Sequence, residues 1–189
     1  MRLILDHLRK YIQLSEEEEN HLIGLLEVRE LEKKQFLQQA GEPCGSIHFV
    51  NEGILRSFFL SEDGKDSTLM FATQNWWITD MDQFLNARPA LVSIQAVTEA
   101  SVLSLSKAKL DRLYDEVPVF NKFFRILMQN AYCREQRRSL QTLALSAKER
   151  YEQFNLKYPE VARQVTQKQI ASYLGITPEF LSYLRAQKD

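Results

Sequence analysis

The side chains best suited to recognition chemistry lie between Val165 and Arg185, in VTQKQIASYLGITPEFLSYLR. Thr166, Gln167 and Lys168 stand together at one point. Thr177, Glu179, Ser182, Tyr183 and Arg185 recur at spacings that expose them along one helix. Hydroxyls, an amide, a carboxylate, a lysine and an arginine are the groups that hydrogen-bond base edges and phosphates. Glu179 can accept from a cytosine amino group, and Tyr183 or Arg185 can reach a base edge or a phosphate. Gln167 and Lys168 suit the sugar–phosphate backbone. No Ser–His or Cys–His constellation stands out in the chain, and the three histidines, His7, His21 and His48, are scattered. No catalytic residue, metal site or cofactor is therefore expected, and an enzyme is the least favoured reading.

Two short helices joined by a tight turn must position these groups. Thr166 caps the first, and Gln169 three residues on completes a capping box. Ile170, Ala171 and Leu174 line its apolar face, and Gly175 ends it where the chain needs positive φ. Thr177 caps the second helix, with Pro178 at its first position and Glu179 near the positive end of the dipole. Phe180, Leu181 and Leu184 are expected to form its buried side. Small Ala171 lets the two helices cross closely. This is a helix-turn-helix, whose second helix enters the major groove of double-stranded DNA.

Charge agrees with that placement. Residues 1–117 carry 12 Lys and Arg against 19 Asp and Glu, whereas residues 118–189 carry 12 against 6. The motif thus lies in the basic part, as phosphate binding requires. With 44% hydrophobic and 26% charged residues, the chain has the composition of a soluble globular protein. No apolar run approaches the roughly 20 residues of a membrane helix, and the N-terminus lacks a signal-peptide pattern. Cys44 and Cys133 are far apart and form no CxxC motif, so reduced thiols and a cytoplasmic location are expected.

Taken in order, residues 2–13 read as a short helix, and Ser15 with Glu18 caps a second. Val28 to Ser106 reads as short strands. Asn51-Glu52-Gly53 marks one turn, and Asp63-Gly64 a two-residue hairpin. Many short strands with regular turns favour a barrel or sandwich over a parallel sheet. Ser106 caps a short helix, and Pro118 opens an uninterrupted helical pattern to about Ser146, roughly 40 Å long. That length exceeds what a domain this small can bury, so a second copy of the chain is the expected partner. Phe120, Phe123, Phe124 and Leu127 are the expected dimer contacts. A further helix spans about Ala147–Lys157, and Tyr158–Val165 reads as a loop. Four residues follow Arg185, so no C-terminal wing is expected.

Two N-terminal helices, a β-roll, a long helix and a terminal helix-turn-helix together resemble the Crp/Fnr superfamily of bacterial transcriptional regulators. The resemblance covers nearly the whole chain. It is strongest in VTQKQIASYLGITPEFLSYLR and visible in Gly41, Gly53, Gly64 and the Asn51-Glu52-Gly53 turn. It implies an α+β fold in three parts. These are a double-stranded, jelly-roll-like β-roll sensor flanked by helices (1–117), a long dimerisation helix (118–146) and an all-α helix-turn-helix domain (147–189). It also implies a homodimer, a small-molecule effector, RNA polymerase as a candidate partner, and no membrane.

The departures are specific. Cyclic-nucleotide-binding members use a Gly-Glu pair for the ribose and an Arg-Ser pair ten residues on for the phosphate. Here Thr79-Asp80 and Ala90-Leu91 stand at those places, and Arg88 falls two residues early. Asp80 is expected to repel a phosphate. Adding the nearby apolar groups gives an effector pocket of Met70, Trp77, Thr79, Asp80, Met81, Arg88, Ala90 and Leu91. Such a pocket is expected to refuse cyclic nucleotides, to prefer a neutral or apolar molecule, or to be filled by Trp76, Trp77 and Leu91. The cysteine cluster of the oxygen sensors is absent. Pro178 and Tyr183 stand where well-known members have base-reading arginines, so operator preference does not transfer. The alternative reading is a ligand-binding or protein-interaction module of the same fold that no longer reads DNA.

Overall fold

The computed structural model describes residues 1–187. Its centre is a pair of four-stranded antiparallel sheets facing each other. One has the order β1 (Glu27–Leu31), β8 (Ala100–Ser106), β3 (Ser46–Glu52), β6 (Trp77–Ile78). The other has β2 (Phe36–Gln38), β7 (Ser93–Ala96), β4 (Leu55–Leu60), β5 (Asp66–Ala72). The chain is thus an α+β protein with a jelly-roll-like β-roll, followed by helices.

Alternation along the strands sets which residues meet. Val50, Leu55, Ile94 and Val102 fill the space between the sheets. Ile47, Phe49, Leu103 and Leu105 point the other way into a helical layer, so β3 and β8 are buried on both faces. His48 shares the inner parity and its Nδ1 lies 2.8 Å from Ser104 Oγ. Burial pushes its pKa down to about 3, so the imidazole is a neutral structural group. Gly53 turns the chain from one sheet to the other with φ of 83°, and a Cβ there would lie 2.2 Å from the Glu99 carbonyl oxygen. No other residue type fits that crossing.

The helical layer consists of α1 (Arg2–Leu8), α2 (Glu16–Leu25), α4 (Lys107–Glu116) and the first turns of α5 (Val119–Ala144). α3 (Met81–Leu85) is a single short turn beside the sheet. The capping box of Ser15 and Glu18 forms as expected, and Ser106 caps α4. The first helix stops at Leu8 rather than continuing to residue 13. Asp63-Gly64 is not a two-residue hairpin. Leu60 pairs with Asp66, leaving a five-residue loop closed by Ser61, whose hydroxyl donates to Asp63 and to the Lys65 carbonyl.

α6 (Ala147–Lys157), α7 (Pro159–Gln164), α8 (Gln167–Leu174) and α9 (Pro178–Ala186) complete the chain. The stretch expected as a loop before the motif is helical, because Pro159 at the first position starts α7. No strand follows α9 among the described residues. None of the described helices is long and apolar enough to cross a membrane.

The expected dimer residues require correction. Phe120 and Phe123 are 1% exposed and Phe124 is 6% exposed. The rings of Phe123 and Phe124 pack on Trp77, Tyr114, His7 and Tyr11 of the same protomer, and Phe120 lies in the same core. They anchor α5 to its own β-roll, and rings so enclosed offer nothing to a second copy. Phe123→Ala should therefore destabilise the protomer by about 3–5 kcal/mol in urea unfolding. The mass of the folded fraction in light scattering should stay that of the wild type.

Candidate nucleic-acid interface and effector cavity

The two-helix motif is built as its residue types dictate. Thr166 Oγ1 accepts from the Gln169 backbone N–H, and Gln169 Oε1 accepts from the Thr166 N–H at 2.9 Å. Gly175 adopts the left-handed conformation with φ of 68°, and its N–H reaches the last carbonyls of α8. Thr177 caps α9 through the Phe180 N–H. Such caps each contribute about 1 kcal/mol. Ile170, Ala171, Leu174 and Leu181 are buried with Phe154, Val161 and Val165, and Leu184 is buried as well.

Thr166, Gln167, Lys168, Thr177, Glu179, Ser182, Tyr183 and Arg185 are all exposed, on the side of α8 and α9 away from that core. Phe180 does not join the buried side. It is 43% exposed and stacks on Tyr183 with centroids 6.1 Å apart. Leu181 and Leu184 already fill the contact with α8, so position 180 falls outside the buried stripe. An exposed aromatic here adds an apolar group of the kind that meets a thymine methyl. The 3.6-residue period, which sets 180 about 100° from 181, was the signal that could have found it.

The reader is docked on the β-roll. Ile54, Phe71 and Val97 share its core. Ser172 Oγ of α8 accepts from the Thr68 N–H at 2.7 Å and donates to the Asp66 carbonyl oxygen, 2.9 Å away. Asp66 also pairs with Arg56 at 2.9 Å. Arg138 of α5 donates to the carbonyls of Leu69, Thr68 and Tyr173. Arg150 of α6 donates to those of Thr142, Leu145 and Leu174. Two guanidinium groups thus serve the carbonyls left open at the ends of α5 and α8.

A cavity of about 440 Å³ lies between the β-roll and α5. Met70, Trp77, Thr79, Asp80 and Met81 line it as expected. Three expected residues do not: Arg88 is exposed, Ala90 is buried and Leu91 is 59% exposed. Leu91 therefore does not fill the pocket. Leu127, named above for the dimer, and Met128 line it instead, with Arg134 and Glu135. These α5 residues were missed because nothing local shows which face of a long helix turns to a cavity.

Asp80 also differs from expectation. Its Oδ2 accepts from the backbone N–H groups of Leu91 at 2.8 Å and Val92 at 3.2 Å. Two consecutive amides converging on one oxygen make an anion niche. The side chain at position 80 fills it rather than merely repelling an anion.

Residues 28–117 match the family model described as the cyclic nucleotide-binding domain. The anaerobic regulatory protein of Pasteurella multocida is 27% identical over 189 aligned residues, which cover 93% of this chain and 68% of that protein. The transcriptional activator Anr of Pseudomonas aeruginosa is 27% identical over 165, covering 82% and 67%. A solved Crp/Fnr-family structure from Eubacterium rectale superposes with a TM-score of 0.73 at 18% identity, covering 92% and 83%. In the order of its parts and over most of its length, the chain is thus similar to proteins named as anaerobic regulators and transcriptional activators, and its fold is that of solved Crp/Fnr-family structures.

Proposed function

We propose that this chain is a dimeric, cytoplasmic, sequence-specific DNA-binding transcriptional regulator, not an enzyme. In this reading residues 1–117 sense a small molecule, 118–146 pair two copies and 147–189 read DNA. The observation that carries it is the exposure of eight polar groups of DNA-contacting type on one doubly capped helix pair. The names of the Pasteurella and Pseudomonas relatives support it. If Glu179 and Tyr183 are base contacts, replacing either by Ala should cost about 1–3 kcal/mol and relax discrimination at one operator position. Lys168→Ala should weaken all sequences alike and lower the salt slope by about one. Competition gel shifts on a selected operator check both. Unchanged discrimination in both alanine variants would remove the assignment.

With the phenylalanines turned inward, another face of α5 is left for the partner. Ile126, Gln129, Cys133, Gln136, Leu140 and Leu143 follow alternating steps of three and four, the seam of a two-stranded coil. Leu140 is 60% and Leu143 85% exposed. Light scattering should give twice the 22.1 kDa chain mass. Leu140→Glu with Leu143→Glu should reduce it to a monomer that keeps its helical circular dichroism.

The occupied niche at Asp80 supports a sensor that refuses cyclic nucleotides. A phosphate entering here would have to displace a carboxylate that already holds two N–H donors, and the cation lining the cavity, Arg134, is already paired with Glu135. The losses amount to several kcal/mol, more than a hundredfold in affinity. Isothermal titration with cyclic AMP and cyclic GMP should show no binding at micromolar nucleotide. A micromolar dissociation constant for either would refute this reading of the cavity.

A further inference from the structure

A second, smaller cavity of about 80 Å³ opens where β5, α5, α6 and α8 meet. It adjoins the first cavity and shares Leu69, Met70, Trp76, Arg134 and Glu135 with it, but its lining is far more cationic. Five cations line it, Arg134, Arg137, Arg138, Arg150 and Lys157, against the single carboxylate of Glu135. Arg134 is paired with that carboxylate at 3.2 Å. Arg138 and Arg150 spend their donors on backbone carbonyls, which satisfies hydrogen bonds but leaves the charge uncompensated. Arg150 Nε is buried with no partner. Arg137 and Lys157 are exposed at the rim. The ring faces nearby are already covered. Arg134 lies 4.9 Å over Trp76, Arg138 4.4 Å over Tyr173 and Lys157 5.0 Å over Tyr158.

We infer that this junction is a binding site for a multiply charged phosphoryl anion, adjoining the larger cavity and apart from the DNA-reading face. Four cations without counter-charge at one partly enclosed place repel each other, and a dianion relieves that repulsion. A phosphoryl group suits them better than a carboxylate, because its three oxygens can be shared among guanidinium and ammonium donors on separate helices. A nucleoside base is not required, since Trp76, Tyr158 and Tyr173 beside the cleft each already carry a cation. The anion would bridge α5, through Arg137, to α6, through Lys157, and so fix the attitude of the reader relative to the long helix. This assignment stands whether or not the reader binds DNA.

The test is isothermal titration of the full DNA-free chain with inorganic pyrophosphate, with chloride at matched ionic strength as reference. Saturable binding of one anion per chain is expected, at least tenfold weaker in Arg137→Ala/Lys157→Ala. Both residues are exposed, so that variant keeps the fold. Lys10→Ala/Lys33→Ala, which removes equal charge elsewhere, should bind as the wild type. Equal affinity in both double variants, or heat reproduced by chloride, would mean an adventitious ion only and overturn the assignment. So would absence of pyrophosphate binding combined with weaker DNA binding by Arg137→Ala/Lys157→Ala, which would make these cations DNA-backbone contacts. Pyrophosphate binding by a chain that shifts no DNA would sink the regulator reading alone.

Discussion

The insertion of the first turns of α5 into the β-roll's helical layer is the contact on which the rest depends. Phe120, Phe123 and Phe124 enter as a block and meet Trp77, itself next to the cavity-lining segment. Aromatic side chains of this size bury about 150–250 Å² each. Three of them fix the direction of a helix that then runs about 30 Å further, to Ala144. Everything downstream takes its position from that anchor. Leu127, Met128, Ala131 and Arg134, on the next turns, line the cavity of about 440 Å³ because the helix leaves the layer at that angle.

The second constraint is backbone polarity at the junction of sensor and reader. Helices α5 and α8 both end there, and their last carbonyls have no intrahelical partners. Arg138 and Arg150 supply the donors, so the reader is held by charge-assisted hydrogen bonds to main chain as well as by the apolar contact of Phe71 with Phe154 and Tyr173. Strand β5 serves both sides of this arrangement. Met70 and Leu69 border the effector cavity, while Thr68 and Asp66 hold Ser172 of the reader. One strand thus connects the lining of the cavity directly with the helix-turn-helix.

Asp80 illustrates how open backbone amides of a loop can be satisfied by a side chain distant in sequence. Two adjacent amide N–H groups in the loop before β7 need an acceptor. A ligand oxygen can supply it, or the protein can. Here a carboxylate one methylene shorter than glutamate reaches both at 2.8 and 3.2 Å. Both amides are thereby satisfied within the protein, and Met70, Trp77, Ile78 and Leu127 are among the residues lining the cavity beside them.

Much of this was legible in the chain of residues. Capping boxes at Ser15 and Thr166, the proline and glycine punctuation of α9 and α8, and strand alternation in β3 are local codes, read within a few residues. They fixed the reader and its exposed polar face almost completely. Tertiary structure alone decided the facing of long or ambiguous segments. Phe120, Phe123 and Phe124 are apolar on an exposed helix, and sequence could not say whether a second copy or the chain's own sheet would cover them. Residues far apart, such as Asp80 and Leu91, or Arg150 and Leu174, meet only after folding, so neither the filled anion niche nor the cationic junction has a local signature. Periodicity tells which side chains share a face, and packing decides what that face meets.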